Sequence, residues 1–243
     1  VPFKEMVYVP EHDKYFPVDQ LPEHATVLSI SGTQLRTLLA TGGDIPAWFT
    51  YPEIADELRM HCPPRSKQGF TLFFTGLSGA GKSTIANALQ DKLIELQNRK
   101  ITLLDGDVLR THLSSELGFS REHRSIHVQR VGYVASEITK HGGIALCALI
   151  APYATDRAHN KSMITEQGGY IEIYVATPLE TCEERDTKGL YQKARQGIIP
   201  QFTGISDPYE APDHASLIID TTQYTVQDAV DQIIDLLKKE GYL

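Results

Sequence analysis

Gly76-Leu77-Ser78-Gly79-Ala80-Gly81-Lys82-Ser83-Thr84 constrains this chain more than any other stretch. It fits G-x-x-x-x-G-K-[ST], a glycine-rich turn between strand and helix that cradles phosphate. The flanks have the matching character. Phe70 to Thr75 is apolar and β-prone, so a buried strand is expected. Thr84 to Gln97 sets Ile85, Leu89, Leu93 and Leu96 at helical spacing. Glycines let the backbone curl until several N–H groups point inward, and the helix N-terminus adds partial positive charge. In such a loop Lys82 reaches the β- and γ-phosphates of a nucleotide, and the Ser83 hydroxyl ligates Mg²⁺. Gly76, Ser78, Gly79, Ala80, Gly81, Lys82, Ser83 and Thr84 are the candidate ATP-binding residues, with Lys82 catalytic.

From Phe70 onward, strand and helix patterns alternate. Apolar runs at Phe70–Thr75, Ile101–Asp105, Ile144–Ile150, Ile171–Val175 and Leu217–Asp220 are the strand candidates. Helical patterns are expected at 83–97, 128–141, 156–166, 178–185 and 226–239. The last begins at Thr225, which can cap it with Asp228. This order predicts an α/β fold with a five-stranded parallel sheet flanked by helices. Residues 1–61 differ. Prolines punctuate them, and only two short helices are expected, one capped near Ser31 and one starting at Pro52. So few apolar clusters make a marginal domain alone. The expected boundaries are 1–61, a linker at 62–69, and a P-loop domain at 70–243.

Bulk properties narrow the partners. A net charge of −8 over 243 residues argues against a nucleic-acid binder, which carries a basic stripe. No apolar run approaches the roughly 20 residues of a membrane span. The start, Val1-Pro2-Phe3-Lys4-Glu5, lacks the basic and apolar regions of a signal peptide. Three spaced cysteines without a C-x-x-C suit a reduced, cytoplasmic chain.

Asp105-Gly106-Asp107 ends the second expected strand, and ligands of parallel sheets sit at the carboxyl ends of strands. These carboxylates therefore read as facing the phosphate loop, to hold a metal's waters or take a proton from an attacking hydroxyl. A simple Asp-Gly-Asp turn is the structural alternative. Arg110 is a candidate phosphate or sulfate contact. The charged stretch from Glu184 to Arg195 reads as part of a mobile lid over 185–204. His123 and His127 stand four apart, but no third histidine or cysteine has matching spacing for a metal site.

Together these stretches resemble the adenylyl-sulfate kinase family. The resemblance spans residues 68–241. Beyond the phosphate loop it rests on Leu104–Asp107, Leu117-Gly118-Phe119-Ser120, Arg185–Tyr191 and Phe202–Glu210. It implies ATP-dependent phosphorylation of the 3′-hydroxyl of adenosine 5′-phosphosulfate (APS) to give PAPS, with Mg²⁺ accompanying ATP. Asp107 and Asp105 are the acidic candidates of the catalytic set. By position the APS site comprises Asp107, Arg110, Phe119, Arg124, Ile150, Lys188 and Phe202, with His127 and Ala151 beside them. The chain departs from the family at His127, Gln129 and Ala151, where Asn, Arg and Ser are usual. Residues 1–61 resemble the C-terminal end of ATP sulfurylase, through Ser31–Arg36 and Ile45–Phe49 with Pro52-Glu53. The sulfurylase His-x-x-His motif is absent. The resemblance thus implies a sulfurylase–kinase fusion, a complete sulfurylase upstream, and a homo-oligomer.

Two rival readings stand beside this one. A P-loop kinase for another small metabolite would not need Phe119 and Phe202 to stack an adenine. A regulatory nucleotide-binding domain would tolerate a degraded phosphate loop, and this loop is whole.

Overall fold

A computed structural model describes residues 4–96 and 99–243. Val1 to Phe3, and Gln97 at the end of the helix expected at 83–97, lie outside the described residues. Two compact units divide at Lys67/Gln68, apart from single residues at the C-terminus.

The N-terminal unit opens with a hairpin, β1 (Met6–Val9) antiparallel to β2 (Lys14–Pro17). The sequence reading missed it, because each strand has only four residues and prolines flank them. Tyr8 stacks on Trp48 with ring centroids 5.3 Å apart. Helix α1 (Gly32–Thr41) starts with a full capping box, Ser31 with Gln34, and stops at Gly42 in the left-handed region. Helix α2 (Pro52–His61) takes Pro52 in its first turn, where a missing N–H costs nothing.

In the second unit β3 (Phe70–Thr75) is wholly buried. It leads through the phosphate loop into α3 (Lys82–Leu96). Ile85, Leu89 and Leu93 are buried as expected, whereas Leu96 is 49% exposed and leaves the apolar stripe. The chain then runs β4 (Ile101–Asp105), α4 (Gly106–Leu113), α5 (Arg121–Lys140), β5 (Ile144–Ala148), α6 (Ala154–Thr165), β6 (Gly169–Val175), α7 (Leu179–Arg185), α8 (Leu190–Arg195), β7 (Leu217–Ile219) and α9 (Val226–Lys239). Among the described residues these strands form one parallel five-stranded sheet in the order β4-β5-β3-β6-β7. Phe70, Leu72, Phe73, Phe74, Ile144, Leu146 and Ile173 are fully buried in it. Strands covered on both faces read as continuous apolar runs, which is why they were legible.

Several elements of this unit differ from expectation. Helix α5 begins at Arg121 rather than near 128, because its first two turns are polar and carry no apolar period. Helix α4 was unforeseen: Asp105 ends β4 and also caps α4, its carboxylate accepting from the Asp107 N–H at 3.0 Å. Strand β5 ends at Ala148, two residues early, and the chain turns to Ala151 at φ 42°. Helix α9 opens on the Thr225/Asp228 capping box as read and buries Ala229, Val230, Ile233, Ile234 and Leu237, but Val226, which the apolar pattern also puts on that face, is 40% exposed. No described helix is long and apolar enough to cross a membrane.

Candidate active site

The carboxyl ends of β3, β4 and β5 open onto one cavity of about 660 Å³, within the usual range for small-molecule sites. Part of its lining is the phosphate loop. Gly76 has φ 144°, and a Cβ there would lie 2.4 Å from the Val175 carbonyl oxygen, so only glycine fits. Ser78, Gly79, Gly81, Lys82, Ser83 and Thr84 line the cavity. Gly76 and Ala80 do not: Ala80 is fully buried, and its carbonyl accepts from Thr177 and Thr221 at 2.9 and 3.2 Å. They shape the loop from below.

Lys82 is buried and folded back on the loop, donating to the carbonyls of Gly76 (2.9 Å) and Leu77 (2.6 Å). Burial lowers its pKa to about 8; Lys188 adds to this, while Cys182, Asp107 and Asp105 oppose it. Ser83 Oγ donates to Asp105 Oδ2 at 2.6 Å. Hydroxyl and carboxylate therefore meet at the N-terminus of α3, a pair of hard oxygen donors. Among the described residues no group of three His, Cys, Asp or Glu stands together as a metal cage.

Asp107, on the first turn of α4, points its exposed carboxylate to the Lys188 ammonium. Lys188 precedes Gly189, whose left-handed φ of 63° turns the chain into α8. The expected lid stretch thus contains a helix, with Tyr191 and Ala194 buried. Tyr191 hydroxyl donates to the Ser78 carbonyl at 2.9 Å, and its ring meets Phe202 edge-on at 5.0 Å. Phe202 is thereby fixed to the phosphate loop.

The rest of the cavity lining is basic and aromatic. Arg110 lies over the Phe119 ring at 4.5 Å, a cation–π contact. Phe119 is 61% exposed whereas Phe202 is 9% exposed, so one aromatic wall is loose and the other held. Arg124 is buried and pairs with Asp207 at 2.8 Å, and also donates to Thr203 at 2.8 Å. Tyr153 hydroxyl donates to the same Asp207 oxygen at 2.7 Å. His127 is buried, with Nδ1 3.0 Å from Ser114 Oγ and Nε2 without a partner. Burial first, then Arg110, lowers its pKa to about 4, against the pull of the Gly106 backbone. Its ring is therefore neutral at pH 7. Ile150 and Ala151 line the adjoining wall. Thr75 Oγ1 donates to the Ile150 carbonyl at 2.7 Å and Arg157 to the Ala151 carbonyl at 2.8 Å, which holds that turn open.

All the expected residues except Gly76 and Ala80 thus line one cavity. Sequence reasoning gave no role to Asp207, Tyr153, Thr203, Ser114 or Arg157. Asp207 and Thr203 stood inside a quoted stretch, but nothing local paired them with Arg124. The phosphate loop, the strand-end carboxylate and the basic aromatic lining define a P-loop kinase for a small anionic acceptor.

Comparison with known proteins narrows this class. The adenylylsulphate kinase family model matches residues 68–220, and the ATP-sulfurylase family model matches residues 1–61. The chain belongs to the adenylylsulphate kinase family, and its first 61 residues are sulfurylase-like. A sulfate adenylyltransferase of Chaetomium globosum is 47% identical over the whole chain, which spans 42% of that protein. The hexameric APS kinase from Thiobacillus denitrificans superposes with a TM-score of 0.83 at 44% identity, covering 100% of this chain and 43% of that one. The Mycobacterium tuberculosis APS kinase, solved with AMPPNP and APS, has a TM-score of 0.67 at 38% identity, covering 70% of this chain and 98% of that one. The chain thus spans less than half the length of the curated relatives it matches.

Proposed function

We propose that the chain transfers the γ-phosphoryl group of ATP to the 3′-hydroxyl of APS, giving PAPS and ADP. The observation that carries this reading is the single cavity lined by Lys82 and Ser83 of the phosphate loop, by Asp107, and by Arg110, Arg124, Phe119 and Phe202. The relative solved with AMPPNP and APS supports the same two substrates.

The chemistry follows from the residues. The 3′-oxygen attacks the γ-phosphorus, the bond from that phosphorus to the β,γ-bridging oxygen breaks, and ADP leaves. The hydroxyl proton goes to Asp107. Lys82 exchanges the Gly76 and Leu77 carbonyls for phosphate oxygens, and the loop amides join it in stabilising the transferring group. Ser83 and Asp105 supply oxygen ligands of the kind Mg²⁺ prefers. Mg²⁺ bound with ATP would neutralise charge on the β- and γ-phosphates. Phe119 and Phe202 take the adenine between them. Arg110, Arg124 and Lys188 meet the phosphosulfate, with His127, Ile150 and Ala151 completing the wall.

The division at Lys67/Gln68 supports residues 1–61 as a sulfurylase piece, 62–69 as a linker and 70–243 as the kinase domain. The hexameric relative supports a homo-oligomer, and the sulfate adenylyltransferase relatives support a complete sulfurylase in the native chain. Free thiols at Cys62, Cys147 and Cys182 suit the cytoplasm. Incubating the purified chain with ATP, Mg²⁺ and APS, and coupling ADP release to NADH oxidation, tests the reading. PAPS formation with matching ADP is expected. Binding of both substrates without turnover would leave a sensor instead.

A further inference from the structure

Phe119 has little to hold it. Its ring is 61% exposed, and its one ring contact among the described residues is the Arg110 guanidinium. An aromatic platform that must order itself on binding loses affinity to that ordering. The residue before it, Gly118, is gripped on both sides. Its N–H donates to His123 Nδ1 at 2.9 Å, and its carbonyl accepts from Arg110 Nη1 at 3.1 Å.

His123 also belongs to the start of α5. Ser120 caps that helix by accepting from the His123 N–H at 3.2 Å. In an ordinary capping box the third helical residue reaches back to the cap residue's own N–H. Here the imidazole reaches two residues further, past Phe119, to Gly118. The approach is close: a Cβ on Gly118 would lie 3.3 Å from Nδ1. In this bond Nδ1 is the accepting ring nitrogen.

We infer that His123 is a positioning residue, which holds the Phe119 platform in place for the adenine of APS by tethering Gly118 to the first turn of α5. The inference rests on the proposed kinase function. His123 touches no substrate. It acts through Gly118, and its worth is the ordering of Phe119 before APS arrives. Because the ATP phosphates bind at the phosphate loop, of which Gly118 and Phe119 are no part, the effect is confined to the acceptor substrate.

The test uses the full chain and two variants. His123→Ala removes the acceptor. His123→Asn places an amide oxygen at the same branch of the side chain, where it can accept from Gly118. Loss of one such bond is expected to raise KM for APS about three- to tenfold. KM for ATP and kcat should stay within about twofold. His123→Asn should return KM for APS to near the parent value. An unchanged KM for APS in His123→Ala, or no recovery in His123→Asn, overturns the inference. Amide hydrogen exchange at Gly118 and Phe119 reads the tether without turnover, and should speed up in His123→Ala and not in His123→Asn. A parent chain that forms no PAPS but shows this exchange pattern would sink the kinase reading while the tether stands. Unaltered exchange in an active parent and in His123→Ala would sink the tether alone.

Discussion

Ser83 Oγ donates to Asp105 Oδ2 at 2.6 Å, while Oδ1 of the same carboxylate caps α4 through the Asp107 N–H at 3.0 Å. One side chain thus ties the phosphate-loop helix to the turn that presents Asp107. The tie is local chemistry with a long reach: strand β4 ends at Asp105, and that end sets both the hydroxyl expected to face a metal and the carboxylate expected to face the acceptor. Relations of this kind lead to four expected outcomes.

Lys82 is expected to bind a proton when nucleotide binds. Burial holds its pKa near 8 instead of 10.5. Between these values the unfolded chain binds more protons than the folded one, so this group adds stability as pH rises through that window. Phosphate beside Nζ favours the charged form and reverses the shift. Calorimetric titration with MgADP at pH 8.5, in two buffers of different ionisation heat, should show uptake of a fraction of a proton per nucleotide. Lys82→Met should abolish the difference between buffers. Equal heats in both buffers for the parent chain would refute the assignment.

His127 makes the fold sensitive to acid. Its folded pKa of about 4 lies below the ordinary 6.5. Stability from keeping this ring neutral is fully present above pH 6.5 and is lost as pH falls through 4. His127→Asn removes the titration and should flatten the dependence of the urea midpoint on pH between 6.5 and 4. A parallel loss in both proteins would show that other groups carry it.

How far the sequence led is itself a physical matter. The phosphate loop, the buried strands and the Thr225 cap were legible because their signals lie within one element. The Asp-Gly-Asp stretch was legible as chemistry but not as the start of α4, because a capping Asp and a metal-facing Asp look alike. The first two turns of α5 were hidden by polar side chains, of which Arg124 and His127 line the cavity and Arg121 lies over the Tyr153 ring. The pairing of Arg124 with Asp207 joins residues 83 apart in the chain. The clamp of Arg157 on Ala151 depends on a turn at φ 42° that no local pattern announces. Contacts set only by the closed sheet lay beyond local pattern.

Breaking the Arg124–Asp207 pair should cost stability as well as substrate affinity. Both side chains are largely buried, and Asp207 also accepts from Tyr153. Asp207→Ala leaves a buried guanidinium with only the Thr203 hydroxyl, and a loss of about 3–5 kcal/mol is expected. Urea unfolding followed by circular dichroism measures it. A loss under about 1 kcal/mol would mean that solvent reaches Arg124 freely and that the pair is a surface contact in solution.

Asp107→Asn separates a working kinase from a nucleotide sensor. The substitution keeps size and hydrogen bonding but cannot take a proton. Asp107 is exposed and paired with Lys188, so the change leaves the fold alone and loosens one ion pair. A sensor needs affinity only, and uniform binding calls for no group that acts in the transition state. If Asp107 accepts the hydroxyl proton, kcat should fall by about 10²–10⁴, the usual worth of a positioned base. MgADP affinity should stay within about threefold, since the phosphate loop, Ser83 and Asp105 are intact. Releasing Lys188 complicates KM for APS, so kcat at saturating APS is the deciding quantity. A loose phosphoryl-transfer transition state asks for little proton removal early, and a fall below tenfold would assign Asp107 to orienting the hydroxyl. Lys188→Met gives the control. It removes the same ion pair with the carboxylate intact, so it should weaken APS binding with a smaller fall in kcat than Asp107→Asn. Equal falls in kcat for the two variants would place the effect in the pair and not in proton transfer.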